Sequence, residues 1–168
     1  MGKLGKVAAL AILFYVAYLA FVGASSLVDY VAGAIVALIT SYIVSDVLVK
    51  ESRKLGELRR LGSLIKYAIK YMLVIEPRAH ADVIKRIVSP SMPVRPGIVE
   101  VPYRVESDYA ILTIANSITN TPGTVTVDID KERKALYVHW IDVKAVEPGR
   151  CRELISKVFE EYARRVFD

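Results

Sequence analysis

The stretch ANSITNTPGTVTVDID, residues 115–130, decides how the C-terminal part of the chain folds. It begins in an apolar helical pattern, breaks at Pro122-Gly123, and continues over residues 124–130 as a strict alternation of apolar and polar residues. A proline-glycine break of this kind ends a helix, and the alternation is typical of a half-buried strand. The stretch therefore predicts a helix that runs through a turn into the first strand of a hairpin.

The order of elements in this stretch argues against phosphate binding. A phosphate loop needs a glycine-rich turn that leads from a strand into a helix, where the N-terminal amides face the anion. Here the helix comes first, and Gly123 follows its C-terminus, where exposed carbonyls disfavour an anion. We interpret the hydroxyls and amides of the stretch as partners for local backbone groups at a structural joint.

No combination of residues predicts a catalytic, metal or cofactor site. Asp128 and Asp130 lie on the solvent side of a predicted strand without EF-hand spacing, and neighbouring basic residues neutralise them. A solvated hairpin tip is therefore favoured over a calcium or magnesium loop. The single cysteine, Cys151, has no partner for a disulfide or a zinc site, so we expect it to pack rather than to react.

The residues around the joint predict a small α+β domain over residues 91–168. Upstream, a proline-rich linker leads into a strand at 98–105, and Ser107 is a suitable N-cap for a helix over 108–119. Downstream, a polar turn leads to the returning strand of the hairpin, and a final amphipathic helix follows. The predicted order of elements is β-α-β-β-α.

Two long apolar runs precede this domain, within residues 1–50. Residues 7–28 and 30–45 carry no charged side chain, and about 20 mainly apolar residues suffice to cross a bilayer as a helix. A cleaved signal peptide would have a shorter apolar core, of about 7–15 residues, and no second run directly behind it. We therefore predict a retained transmembrane helical hairpin.

The distribution of positive charge predicts the orientation of this hairpin, because Lys and Arg are enriched in cytoplasmic loops. Lys3 and Lys6 precede the first run, whereas the connecting turn has one carboxylate, Asp29, and no positive charge. Both termini and the C-terminal domain are therefore expected on the cytoplasmic side of the inner membrane. The positive charges that follow the second run are Lys50, Arg53, Lys54, Arg59 and Arg60.

Residues 51–90 form a basic juxtamembrane segment. Between Lys50 and Ser89 the chain has ten Lys or Arg and four Asp or Glu, whereas from Pro90 onward it has eleven and twelve. A basic patch for nucleic acid is one interpretation. The position directly after an apolar run instead favours anionic lipid as a partner, with no nucleic acid.

Part of this segment predicts an amphipathic helix. In residues 62–76, Lys66 and Lys70 share one face, and apolar residues fill the other. Pro77 is expected to kink or break the helix, with a second short helix at 79–88. A helix lying in the membrane interface is the favoured interpretation, and a third crossing of the membrane is the alternative.

The second apolar run carries small residues at four-residue spacing, which fall along one stripe of a helix. Such stripes let membrane helices approach closely, because packing drives their association in lipid. We expect a packing face, directed at the first helix or at another protein. Its members are Gly33, Ala37, Ser41 and Ser45.

Asp46 and Asp29 are the only carboxylates close to the predicted membrane interior. A charge inside the membrane marks an ion path by default. Both residues lie near predicted helix ends, however, where a carboxylate that contacts water or a lysine is the competing interpretation. We treat them as candidate ion-path residues.

A specific pattern runs through the joint. Ala-Asn-Ser-Ile-Thr is followed by one variable residue, by Thr-Pro-Gly-Thr, and then by a Thr-rich strand and an acidic turn, and RPGIV lies upstream. Over residues 88–143 the chain resembles the E subunit of the multisubunit Mrp-type Na+/H+ antiporters, with Asn120 in place of an expected leucine. The signature residues are Asn116, Ser117, Thr119, Thr121, Pro122, Gly123 and Thr124.

The resemblance implies a non-catalytic accessory subunit of a multisubunit cation/proton translocating complex, with other large and small membrane subunits as partners. Similar subunits occur in archaeal membrane-bound hydrogenase-type complexes. The many charges and few Asn and Gln suit a thermophile, which favours that version. Two alternatives stay open: a membrane-tethered cytoplasmic binding module, and a subunit whose Asp46 or Asp29 directly lines an ion path.

Overall fold

The structure, a computed structural model, describes residues 3–23, 26–49 and 57–168. The chain divides into two compact units, Met1–Glu57 and Leu58–Asp168. Some of the basic residues that predict the orientation lie outside the described residues, namely Lys50, Arg53 and Lys54.

The first unit is a hairpin of two apolar helices, as predicted. Helix α1 spans Lys3–Val22 and helix α2 spans Leu27–Leu48. Both are long and apolar enough to cross a membrane, with a mean hydropathy of 2.0 over 18 residues. At the start of α2, the Asp29 N–H donates to the Ser26 hydroxyl and the Ser26 N–H donates to the Asp29 carboxylate. This capping box begins the second helix directly after the turn.

The second unit starts with a long helix that changes its winding in the middle. Helix α3 spans Leu58–Lys70, a π-helical turn spans Tyr71–Ile75, and helix α4 spans Glu76–Ile87. Pro77 lies in the first turn of α4. Because proline has no N–H to donate, the wider turn before it accommodates the missing hydrogen bond. The expected second short helix is therefore a continuation of the first.

A three-stranded antiparallel sheet follows; its three strands and its hairpin were predicted, and the pairing of the first strand with the last was not. Strand β1 spans Gly97–Pro102, β2 spans Thr124–Asp130 and β3 spans Ala135–Trp140, in the spatial order β1-β3-β2. Helix α5, Asp108–Asn120, connects β1 to β2 and begins at the N-cap Ser107, whose hydroxyl accepts a backbone N–H. The outer strands are thus the two that α5 joins, and β3 lies between them.

Helix α5 covers one face of the sheet. Val101 and Val138 point inward from the strands and pack with Ile114 and Ile118 of the helix, and all four side chains are fully buried. Burial of each such side chain stabilises the fold by roughly 1.5–3 kcal/mol. This core fixes the direction in which the C-terminus of α5 enters the joint.

The C-terminal part forms two helices where the sequence predicts one. Helix α6 spans Pro148–Ile155 and helix α7 spans Lys157–Phe167. Between them, Ser156 departs from helical geometry with φ −113° and ψ −19°. A buried ion pair spans this break, since both guanidinium contacts from Arg152 to the Glu160 carboxylate measure 2.8 Å.

Candidate functional site

The stripe of small residues in α2 is buried. Tyr15 and Tyr18 of α1 pack over Gly33, where an added Cβ would lie only 2.5 Å from Cδ1 of Tyr18. Only glycine permits this approach of the two helices. The buried residues of α2 are Gly33, Ala37, Ser41 and Ser45, and the hydroxyls of the two serines donate to carbonyls of their own helix.

The structure places Asp46 and Asp29 at opposite ends of α2. The Asp46 carboxylate lies 3.2 Å from the Lys3 ammonium and 3.6 Å from that of Lys6, and it is 60% exposed. Asp29 belongs to the capping box with Ser26. The two candidate ion-path residues are therefore not brought together, and Asp46 instead joins the start of α1 to the end of α2.

The signature stretch forms a hydrogen-bonded joint, as its polar composition suggests. The Thr121 hydroxyl donates to the Ser117 carbonyl at 2.7 Å, and the Thr124 hydroxyl donates to the Ile118 carbonyl at 2.8 Å. Both carbonyls also accept the Thr121 N–H at 3.2 Å, so the two threonine hydroxyls give them a second partner at the helix C-terminus. The stretch thereby ends α5 and begins β2 with its own side chains.

A second set of bonds ties β2 back to the helix it follows. The Thr126 N–H donates to the Thr119 hydroxyl at 3.1 Å, and the Thr126 hydroxyl donates to the Ala115 carbonyl at 3.1 Å. Between the two elements, Gly123 has φ +95°, which L side chains rarely adopt. Its carbonyl accepts from the Ile141 N–H at 2.9 Å. The glycine is therefore required by the turn itself.

The joint also contacts the helix of residues 58–87. Tyr67 hydrogen-bonds the Ser117 hydroxyl, and the Tyr71 hydroxyl donates to the Glu76 carboxylate at 2.7 Å. Asn120 donates to the Tyr71 hydroxyl at 3.0 Å. Burial raises the pKa values of both tyrosines above their usual range. The unusual Asn120 is thus accommodated by a polar contact with the π-helical turn.

Helix α3 together with the first residues of the π-helical turn, residues 58–73, presents three faces, one more than the sequence predicts. An aromatic face packs on α7, with ring centroids 5.4 Å apart for Tyr67 and Tyr162 and 6.1 Å apart for Tyr71 and Phe159. A basic face carries the lysines, and a third face is apolar and exposed. The tyrosine pair at four-residue spacing is the sequence signal for the aromatic face. The exposed apolar residues are Leu58, Leu61, Leu64, Ile65, Ile69, Met72 and Leu73.

Sequence reasoning missed a basic pocket of about 420 Å³ between α3 and α7. Its walls come from helices that lie far apart in the sequence, so no local motif could have revealed it. The Lys70 ammonium and the Arg165 guanidinium lie 5.4 and 5.8 Å from the ring centroid of Tyr162. The lining residues are Arg59, Gly62, Ser63, Lys66, Tyr162 and Arg165.

The remaining candidates for chemistry take structural positions. Cys151 is fully buried, its thiol lies 3.2 Å from the Ala145 carbonyl, and burial raises its pKa. Asp130 accepts the Arg133 N–H at 2.9 Å in the hairpin turn. Within residues 3–23, 26–49 and 57–168, no group of three His, Cys, Asp or Glu side chains could hold a metal ion.

Comparisons with known proteins agree with one another. The model of a family described as Na+/H+ ion antiporter subunit matches residues 11–166. The E subunit of the Na+/H+ antiporter of Alkalihalophilus pseudofirmus is 29% identical over 143 residues, which cover 84% of this chain and 83% of that protein. That of Bacillus subtilis is 34% identical over 88 residues, which cover 51% and 56%.

A solved structure is similar over nearly the whole chain. It is a chain in the structure of the membrane-bound sulfane sulfur reductase, an archaeal respiratory membrane complex. The TM-score is 0.83 at 27% sequence identity, and the alignment covers 97% of this chain and 99% of that one. The similarity therefore includes both the apolar hairpin and the α+β unit.

Proposed function

The chain belongs to the family of Na+/H+ antiporter E subunits, and from this premise we propose that it is a structural and assembly subunit of a multisubunit membrane complex that translocates cations and protons. The observation that carries the proposal is the family match over residues 11–166, which takes in the hairpin as well as the α+β unit. The subunit itself catalyses no reaction in this proposal, and its partners are the other membrane subunits.

The exposed surfaces of the hairpin support a role in assembly. The side chains of Phe21, Leu27 and Ile43 are 93%, 79% and 69% exposed, and apolar side chains on a membrane helix need lipid or a neighbouring subunit. The two helices already use the Gly33 face for each other. Their outward faces are therefore the surfaces that we assign to lipid and to the neighbouring subunits.

The α+β unit has the features of a rigid brace. Its joint is closed by side-chain hydrogen bonds, and the helix of residues 58–87 is docked on it through Tyr67 and Tyr71. We place this unit in the cytoplasm, with residues 51–90 as a juxtamembrane segment and 91–168 as the domain proper. The positive charge of the juxtamembrane segment supports that side of the membrane.

Cysteine labelling tests the orientation. Because the natural Cys151 is fully buried, introduced cysteines can be labelled over a low background. Leu27→Cys, at the start of α2 and next to the connecting turn, should react with a membrane-impermeant thiol reagent only from outside. Lys85→Cys should react only in inverted vesicles. Labelling of both from the same side would contradict a hairpin with two cytoplasmic ends.

Two kinds of complex fit the family. One is a cation antiporter, as named for the bacterial relatives. The other is a respiratory complex that contains an antiporter-like module, and the similarity to a chain of the sulfane sulfur reductase supports this kind. For the redox-driven version of the proposal, this similarity supports a respiratory complex in general and not a hydrogenase in particular.

Direct participation of Asp46 in an ion path is the second candidate function. The Lys3–Asp46–Lys6 cluster favours it, because a carboxylate between two ammonium groups at a helix end could change partners as a cation passes. Asp46→Asn with intact assembly and slowed transport would support this role, and normal transport would exclude it. Asp29→Asn requires the same test.

Deletion and complementation test the main proposal. Removal of the subunit should lower both cation-dependent proton uptake in inverted vesicles and the amount of assembled complex on native gels. Gly33→Leu, which cannot fit beneath Tyr18, should fail to restore either. Val36→Leu, at a half-exposed position of the same helix, should restore both. Full transport without the subunit would refute an assembly role.

A further inference from the structure

The basic pocket between α3 and α7 is not explained by the structural role of the subunit. Arg59 and Lys66 of α3 and Arg165 of α7 line it, and no carboxylate is among the lining residues. Within the described part of the chain, none of these three cations forms an ion pair. Several other basic residues of the same unit do pair with an acid, as Arg152 does with Glu160.

Three like charges around one small volume repel one another unless a counter-charge enters. The Ser63 hydroxyl, which donates to the Arg59 carbonyl at 3.0 Å, also lines the pocket and can rotate to donate to an anion. The space beside Gly62 is open, since an added Cβ there would have no heavy atom within 4 Å. The pocket therefore has the charge and the room for a phosphate group.

The surface next to the pocket indicates which kind of phosphate-containing ligand it suits. On α3, Ile65 and Ile69 lie one helical turn apart and next to Lys66, and they are 51% and 55% exposed. Both belong to the apolar face of α3 defined above. A ligand held by the cations would therefore place whatever is attached to its phosphate along an exposed apolar surface, which suits an acyl chain and not a sugar or a nucleotide.

We propose that this pocket binds the phosphate headgroup of an anionic phospholipid, with the acyl chains lying along the apolar face of α3. The inference rests on the proposed interfacial position of that helix, but it does not depend on any role in ion transport. It replaces the general attraction of a basic segment for anionic lipid with a defined site. A bound lipid of this kind would hold the helix at the membrane surface.

Native mass spectrometry of the full chain in detergent tests the site with a defined probe. Dioleoylphosphatidylglycerol should be retained, and dioleoylphosphatidylcholine, which has the same chains and no net charge, should not. The double variant Lys66→Gln/Arg165→Gln should bind the anionic lipid at least about tenfold more weakly. It removes two basic residues, and each basic residue near the membrane surface adds to the attraction for anionic lipid.

Two matched variants distinguish binding at a defined site from the general attraction between a basic segment and anionic lipid. Lys85→Gln/Arg164→Gln removes the same charge from outside the pocket and should retain the lipid. Gly62→Leu fills the open space without changing any charge and should lose it, whereas Gly62→Ala should keep most of it. Equal loss in the pocket and control double variants, or unchanged binding by Gly62→Leu, would overturn the proposal.

Two further outcomes would assign the pocket differently and so overturn it. If inorganic phosphate protects Lys66 from amine acylation as well as the lipid does at the same concentration, the ligand is a soluble anion. If the Lys66 amine cross-links to an activated carboxylate of a neighbouring subunit in the intact complex, the pocket is a protein contact. Neither result would affect the assembly role, which the deletion experiment tests separately.

Discussion

Replacement of Gly123 by alanine tests the interpretation of the signature stretch as a structural joint. The residue has φ +95°, and an added Cβ would lie 3.1 Å from Cγ2 of Ile141. A non-glycine residue in such a conformation costs about 1–3 kcal/mol. Alanine restricts the unfolded chain, which offsets roughly 0.4–1 kcal/mol of that cost. The expected net loss in the free energy of unfolding is about 1–2 kcal/mol.

Thermal unfolding of the full-length chain in detergent, followed by tryptophan fluorescence, measures this loss. The only tryptophan, Trp140, pairs in the sheet with Thr124, which follows Gly123 directly. For a unit of this size the loss corresponds to a fall of roughly 4–8 °C in the unfolding temperature.

Gly62→Ala is the matched control, because it is the same chemical change in the same unit. Its added Cβ meets no heavy atom within 4 Å, and alanine favours a helix over glycine by up to about 1 kcal/mol. This variant should unfold at the wild-type temperature or a few degrees above it. If Gly123→Ala matched the wild type, or if both variants fell equally, the joint would not depend on the backbone of Gly123.

Three further changes give results that the structure predicts. Gly33→Ala should weaken the hairpin, because its Cβ would lie 2.5 Å from the Tyr18 ring and overpacking costs about 1–3 kcal/mol; detergent titration of helicity would show an earlier transition than in the wild type. Arg152→Met should lower the free energy of unfolding by roughly 3 kcal/mol, because it leaves the buried Glu160 carboxylate unpaired, and in a denaturant series the double variant with Glu160→Met should recover part of that loss. The hydrogen bond from Arg95 and the charge of Arg86 lower the pKa of the Asp142 carboxyl. The stability that Asp142 contributes is therefore complete above its unfolded pKa, near 4, and is lost as the pH falls through the lower folded pKa. Acid unfolding of Asp142→Asn should show a weaker pH dependence than that of the wild type.

The apolar hairpin and the sheet were predictable because their patterns are local. Charge-free runs identify membrane helices, and the alternation in residues 124–130 identifies a strand whose pairing with β3 the structure then shows. The joint was recognisable as a turn, but its partners were not. That Tyr67 would reach Ser117 depends on packing between residues 50 positions apart, which no local pattern reports.

The predictions for the helical parts were right in part at Pro77, where the winding changes and a second helix follows, and wrong at Ser156, where the single predicted helix is two. Proline ends many helices. Here a π-helical turn precedes Pro77 and accommodates the hydrogen bond that proline cannot donate, and α4 follows without a loop. Ser156 gives no strong break signal, yet α6 ends and α7 begins there, with Arg152 paired to Glu160 across the break. In both cases the propensity of one residue is a weak guide to whether a helix ends there.

Affinity purification of the full chain from native membranes tests the central claim most directly. The account predicts that a tagged chain, extracted in mild detergent, brings down a defined set of large and small membrane subunits in constant proportion, and that Gly33→Leu loses them while Val36→Leu retains them. Identification of the partners by mass spectrometry would then separate an antiporter from a respiratory complex. Recovery of the chain alone, with cation and proton transport unchanged in its absence, would contradict the account and favour a membrane-tethered binding module.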